Sequence, residues 1–275
     1  MIQMNINQVC KKLQNIIEIR VTDNNGPIVI GISGGQGSGK STLSQLLSKN
    51  LNIKGILTIV LSLDDFYLTK NERKKLSKKI HPLALRRGVP GTHDTDFLKK
   101  ILKTLLQKTR GLPIELPIFE KGLDDRKPKR LWKQIKRFPS VILLEGWCIG
   151  ALSDNLASTP ETDWELINDP NGIWKKWTKT EAKKYEEIWE ALDYLIFIEQ
   201  ENFAQVIEDR WRQEQKIIAL NQSNLLRTKN HVEEFCKPFE SWTNEVWNFN
   251  RRHANVILSR DLNYNYIWTQ NKDAK

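Results

Sequence analysis

Gly34-Gly35-Gln36-Gly37-Ser38-Gly39-Lys40-Ser41, followed by Thr42, matches the pattern G-x-x-x-x-G-K-[ST] at every place. Glycines so spaced let successive backbone N–H groups turn inward around phosphate oxygens, and a helix that starts at the end of the loop adds positive potential. Lys40 then reaches the outer phosphates and the Ser41 hydroxyl ligates Mg²⁺. The chemistry implied is the holding of a nucleoside triphosphate, read as ATP with Mg²⁺.

Transfer from such a site also needs an acid beside the acceptor hydroxyl and cations on the moving charge. Asp64 and Asp65 end one apolar run, and Glu145 closes another. The adjacent aspartates point different ways, so one faces the acceptor and the other holds metal-bound water or a structural partner. The residues alone leave open which does which, and a capped turn is the plainer use of an Asp pair. A carboxylate after four aliphatic residues is costly to bury without a partner or a metal, which gives Glu145 a place near Mg²⁺ or in a salt bridge. Arg210 and Arg212 are two apart and do not share a helix face, so only one of them can lie over the nucleotide.

These groups need elements to carry them. An apolar run over 28–32 precedes the glycine loop, and Leu43, Leu46 and Leu47 follow it at helical spacing, so strand, loop and helix come in the order the motif requires. Further β-rich runs fall at 56–63, 141–144, 194–198 and 254–258. Helical patterns fall at 1–20, 97–106, 181–192, 203–220 and 232–249. Strands alternating with helices predict an α/β fold of the P-loop NTPase type, a parallel five-stranded sheet with helices on both faces. Ligands in such sheets sit beyond the carboxyl ends of the strands, where the glycine loop, Asp64 and Glu145 all fall. Residues 69–87 read as a charged, helix-like, exposed excursion, 112–119 as extended, 121–130 as a polar loop, 151–175 as irregular, and the tail after Leu262 as polar.

The 275 residues, 39% hydrophobic and 28% charged, suffice for a large α/β core. They read as a single domain over 1–275, with an N-terminal helix in 1–22 and lid or insertion segments around 69–96, 120–138 and 200–230. No apolar run approaches the ~20 residues of a bilayer span. No signal or transit pattern is seen, so a cytoplasmic location is expected. The three cysteines, Cys10, Cys148 and Cys236, lack metal-ligand spacing and read as reduced thiols. A formal charge of +10 suits a polyphosphate and an acidic acceptor; without a nucleic-acid-binding signature, no nucleic-acid partner is expected. Asn271-Lys272-Asp273-Ala274 misses the guanine-reading N-K-x-D pattern by one place. The number of subunits is not legible.

Four blocks resemble the phosphoribulokinase/uridine-kinase class of P-loop kinases, and within it the D-glycerate 3-kinase family. They are Gly31 through Thr42, Ser62-Leu63-Asp64-Asp65-Phe66-Tyr67-Leu68-Thr69, Arg87-Gly88-Val89-Pro90-Gly91-Thr92-His93-Asp94, and Leu144-Glu145-Gly146-Trp147. A looser fifth is Pro117-Ile118-Phe119-Glu120-Lys121, ending at Asp125-Arg126. The resemblance implies Mg²⁺-dependent transfer from ATP to a small hydroxy acid, D-glycerate. In that reading Asp64 orients or deprotonates the acceptor hydroxyl, Glu145 is the metal-side acid, Mg²⁺ is expected among Ser41, Asp64 and Glu145, and Arg210 acts from the lid. Asp65, Tyr67, His93, Lys121 and Arg126 would then meet the acceptor. Glu120 and Cys148 depart from the family's usual residues, and the loop before Arg126 lacks its glycines. Another acceptor (uridine, pantothenate or a sugar phosphate) or an ATP-binding switch without one are the alternatives.

Overall fold

A computed structural model describes residues 3–108, 111–219 and 226–271. A short strand β1 (Gln3–Met4) leads into α1 (Ile6–Asp23). Asn5 opens that helix, accepting from the backbone of Asn7 and Gln8 while the Gln8 side chain accepts from Asn5 N–H. Then come β2 (Ile28–Gly34), α2 (Lys40–Ile53), β3 (Thr58–Ser62), α3 (Lys70–Lys79) and α4 (Thr95–Gln107). Two small ribbons follow, β4 (Ile114–Leu116) with β7 (Lys133–Ile135) and β5 (Phe119–Glu120) with β6 (Asp125–Arg126). The rest is β8 (Val141–Gly146), α5 (Asp163–Asn168), α6 (Ile173–Trp189), β9 (Tyr194–Glu199), α7 (Phe203–Ala219), α8 (Lys229–Cys236), α9 (Glu240–His253), β10 (Val256–Arg260) and β11 (Tyr266–Gln270).

Five strands pair in parallel in the order β3-β8-β2-β9-β10. Alternate residues feed opposite layers, which is why β2 is apolar throughout. Ile28, Ile30 and Ile32 meet Val9, Leu13 and Ile17 of α1 and Leu43, Leu47 and Leu51 of α2. Val29 belongs to the other core, with Leu98, Leu102 and Leu105 of α4, Ile188 of α6 and Trp247 of α9. Both faces of the sheet are therefore covered, as a parallel sheet requires. The fold class expected from the alternation is the one observed, and the three cysteines are free and buried.

Four details differ from the sequence reading. The stretch after Leu262 is not only a polar tail: Asp261 folds a tight turn by accepting from the backbone of Asn263 and Asn265, and β11 returns antiparallel to β10. β1 adds to β11, so the sheet has seven strands. The helix-like stretch 69–87 does hold a capped helix, but it is tied down rather than exposed throughout: Arg73 is 1% exposed, its guanidinium donating to Leu68 O, Leu85 O and Asp124 O. The helical pattern over 232–249 is broken by a turn, Lys237–Phe239, at Pro238, which has no N–H to continue a helix. Finally α6 begins before 181, and α5 lies within the stretch read as irregular. Residues 220–225 of the expected lid and 272–274 of the failed guanine pattern lie outside the described residues.

Candidate active site

The parallel strands bring their carboxyl ends to one edge, and the cleft there has a volume of about 320 Å³. Gly34 ends β2, and the glycine loop turns from it into α2, whose first residue is Lys40. Gly37 has φ +74°, and a Cβ there would stand 2.6 Å from the carbonyl carbon of Asp209, so only glycine lets α7 approach the loop. Gln200 fastens the loop from behind, donating to Gln36 O at 3.2 Å and to Asp209 at 2.7 Å. Asp209 also pairs with Arg260, and both side chains are fully buried. A buried acid–base pair thus joins the last parallel strand, the α7 helix and the glycine loop.

Inside the cleft, Lys40 Nζ donates to Gly35 O at 2.8 Å. Burial pulls its pKa down, against the carboxylates of Glu145 and Asp64, which raise it. Ser41 Oγ donates to Glu145 Oε1 at 3.1 Å. The parallel pairing of Ile32 with Glu145 makes this contact possible by setting the acid beside the start of the loop. Asp64 Oδ2 accepts from Lys121 Nζ at 2.6 Å. Burial would raise the Asp64 carboxyl, but Lys121, His93 and Lys40 outweigh it and hold the group well below the usual carboxylate range. Lys40, Ser41, Thr42, Asp64, Tyr67, Lys121, Glu145 and Arg210 all line the cleft, as do Gln36, Gly37 and Gly39. Of the remaining loop residues, Gly34, Gly35 and Ser38 stand behind its surface.

Three sequence-derived acceptor contacts are placed elsewhere. Asp65 turns back and accepts from Phe119 N–H at 3.0 Å, so it ties β5, and with it Lys121, to the turn after β3. Arg126 does not line the cleft. Its Nε donates to Tyr67 O at 2.6 Å, and its Nη2 donates to Phe66 O at 3.2 Å and to Asp94 Oδ2 at 3.1 Å. A buried guanidinium takes carbonyl and carboxylate partners wherever they are preformed. His93 is 5% exposed and stacks behind Tyr67 with ring centroids 4.3 Å apart. Its Nδ1 lies 2.7 Å from Tyr185 Oη, which also accepts from Gly91 N–H. Burial pushes the His93 imidazolium down to about 3, against the pull of Asp64. His93 supports Tyr67 from the far side of the wall.

The two arginines of α7 separate as their spacing requires. Arg210 lies in the cleft, paired with Glu214 and 5.4 Å from the Phe235 ring centroid. Arg212 turns outward, donating to Leu262 O at 2.7 Å. Several lining residues were given no site role in the sequence: Arg87, Trp147, Lys216, Phe239 and Tyr264. Arg87 and Trp147 stand in blocks already noted, and Arg87 also ends the charged stretch 69–87. Trp147 is placed by a hydrogen bond to Gly88 O at 2.9 Å, and Gly88 has no side chain because Phe239 occupies the space a Cβ would need.

The residues present fit a Mg²⁺ nucleoside triphosphate. A Cβ at Gly39, φ +99°, would meet only Tyr266 Oη at 3.4 Å, so the loop's backbone faces open space. Gln36 Oε1 and Arg210 Nε, on residues that line that space, are buried with no protein partner. The loop and Lys40 would hold phosphates, and Ser41 with Glu145 would hold the cation. Among the described residues no group of three or more His, Cys, Asp or Glu side chains could hold a metal ion, so a bound Mg²⁺ would draw its other ligands from phosphate and water.

A glycine-loop cradle, a serine–glutamate pair beside it and a second acid across the cleft define a P-loop kinase. Residues 29–158 match the phosphoribulokinase/uridine kinase family. The chain is 31% identical over 219 residues to the uncharacterized kinase mug58 of Schizosaccharomyces pombe, covering 76% of each. It is 34% identical over 151 residues to the chloroplastic D-glycerate 3-kinase of Arabidopsis thaliana, a match of 52% of this chain and 33% of that protein. The structure of a D-glycerate 3-kinase from Cryptococcus neoformans superposes with a TM-score of 0.75 at 21% identity, covering 96% of this chain and 99% of the other, and so shares the fold. The chain belongs to the phosphoribulokinase/uridine kinase family and is an ATP-dependent kinase of a small-molecule substrate. No helix among the described residues is long and apolar enough to cross a membrane.

Proposed function

We propose that the acceptor is a hydroxy acid, D-glycerate, phosphorylated on its 3-hydroxyl. The observation that carries this reading is the Asp64–Lys121 pair, 2.6 Å apart at the cleft wall. An ionised carboxylate suits the acceptor's O–H, and an ammonium beside it suits the acceptor's own carboxylate. The similarity to the Arabidopsis thaliana D-glycerate 3-kinase supports the same choice.

In this mechanism the glycine loop and Lys40 fix the phosphates, and Arg210 covers the transferring group from α7. Bound Mg²⁺, held through Ser41 and Glu145, supplies charge neutralisation across the phosphates. The acceptor O–H gives its proton to Asp64 as its oxygen bonds the γ-phosphorus, and the β–γ bridging oxygen leaves with ADP. Lys121 takes the acceptor's carboxylate, and Tyr67, braced by His93, shapes the wall. Segments 69–96, 120–138 and the described parts of 200–230, namely 200–219 and 226–230, of a single kinase domain act as lids over this cleft, in a cytoplasmic enzyme.

A coupled ADP assay over an acceptor panel tests the reading. D-Glycerate should raise ADP release above the basal rate. Stimulation by uridine, pantothenate or ribulose 5-phosphate instead would replace the acceptor, and slow ATP hydrolysis indifferent to every acceptor would make the protein an ATP-binding switch.

A further inference from the structure

The cleft does not end at Lys121. Arg87, Lys121, Arg210, Gln213, Phe235 and Phe239 line both the nucleotide side and an adjoining chamber of about 620 Å³, so the two spaces are continuous. The two halves differ in chemistry. Three cations stand at the junction: Arg87, paired with Asp124; Lys121, paired with Asp64; and Arg210, paired with Glu214. Beyond them Trp174, Ile217, Leu226 and Pro238 join Phe235 and Phe239 in an apolar patch, and ionisable side chains, Lys70, Arg86, His231 and Glu234 among them, make up the rest of the wall. An apolar patch ringed by polar groups is a surface that a small molecule with one apolar substituent can use.

D-Glycerate has one carboxylate, two hydroxyls and no apolar group. Placed with its carboxylate at the cations and its 3-hydroxyl at Asp64, it would meet none of the aromatic wall. The remaining substituent position, at C2, is the one that the chamber can serve.

We propose that the acceptor range of this kinase extends to 3-hydroxy acids bearing an apolar group at C2, and that the chamber beyond Lys121 is the subsite for that group. The proposal rests on the hydroxy-acid reading above. The transfer step is unchanged: the hydroxyl proton goes to Asp64, the oxygen–phosphorus bond forms and ADP departs. Burial of the C2 substituent against Phe235 and Phe239 adds binding that glycerate does not have. For a phenyl group the gain in kcat/KM over D-glycerate is about tenfold or more.

The test compares D-glycerate with 3-hydroxy-2-phenylpropanoate, which replaces the 2-hydroxyl of glycerate by phenyl, in the coupled ADP assay. Ile217→Glu puts a charge on the chamber wall, at a residue that does not line the nucleotide side. The expected result is a higher kcat/KM for the phenyl acid in the native protein, lost in Ile217→Glu, while D-glycerate turnover is retained in that variant. If D-glycerate is phosphorylated but the phenyl acid is neither turned over nor a competitor, the chamber is not an acceptor subsite and the hydroxy-acid reading stands. An advantage for the phenyl acid that survives Ile217→Glu would also overturn the placement. Turnover of neither acid, with uridine or another acceptor active, sinks both readings together.

Discussion

The Ser41 hydroxyl donates to Glu145 Oε1 at 3.1 Å across 104 residues of sequence. Neither residue's own element produces the contact: it follows from β2 and β8 lying side by side in parallel, with Ile32 opposite Glu145. A hydroxyl and a carboxylate so joined at a phosphate cradle would give a bound Mg²⁺ two of its ligands. Glu145→Gln keeps the shape and removes the charge, so the Mg²⁺ concentration for half-maximal activity should rise about 10- to 100-fold. A Mg²⁺ titration at saturating ATP reads the change. An unaltered Mg²⁺ requirement would remove Glu145 from the metal site.

Asp64 and Lys121 set a pH dependence. With its pKa held below the usual range, Asp64 stays ionised under mildly acidic conditions, and the acid limb of kcat/KM should lie below the ordinary carboxylate range. Lys121→Met removes the largest opposing cation, so burial raises the carboxyl and the acid limb moves to higher pH. Asp64→Asn should lower kcat about 10²- to 10⁴-fold while ATP binding persists. A pH–rate profile of the Lys121 variant with its acid limb unmoved would dissociate this pair from catalysis.

What the sequence could and could not disclose divides along physical lines. The glycine loop, the five parallel strands and the acids at their ends were legible because each depends on local pattern: apolar runs, spacing and the position of a charge at the end of a run. The direction of a side chain was not. Asp64 and Asp65 are neighbours in the same turn, yet one opens on the cleft and the other accepts from Phe119 N–H. Arg126 sits in a block that resembles an acceptor-binding loop, but the carbonyls of Phe66 and Tyr67 lie within its reach and capture it. Phe239 and Tyr264 reach the cleft from helices and turns far along the chain, with no local signal that they would. β11 was missed because a half-buried strand of five residues, with only Tyr266 fully buried and only the two-residue β1 beyond it, reads as a polar tail.

His93 makes a prediction about stability instead of rate. In the unfolded chain its imidazole takes a proton near the ordinary value of 6.5, whereas in the folded protein it does so only near 3. The unfolded state therefore binds more protons between these values, and stability falls as the pH drops through that window. Above about pH 6.5 this contribution is complete and flat. Replacing His93 by Gln should flatten the acid side of the urea-midpoint profile between about pH 6.5 and 4. NMR of the native protein should show the His93 ring neutral across about pH 5 to 8, and a ring that titrates there would contradict the buried placement behind Tyr67.

Arg210 and Arg212 lie two residues apart on α7 and provide a matched pair of tests. Arg210 faces the cleft, paired with Glu214, and in the proposed mechanism its guanidinium would cover the transferring group. Arg212 points to Leu262 O and to Glu208, 3.7 Å away, on the outer side of the same helix. A cation that stabilises developing charge in phosphoryl transfer is worth about 10³-fold or more in kcat. Arg210→Ala should therefore lose at least that order in kcat, with a smaller change in the affinity for ATP, because the interaction strengthens only as charge moves. Arg212→Ala removes a partly exposed ion pair and should alter stability by no more than about 1 kcal/mol, with kcat unchanged. Steady-state kinetics of the two variants at saturating ATP separate the roles. Equal losses in both would mean that α7 contributes to the cleft as a rigid element, and that Arg210 has no special place over the transferring group.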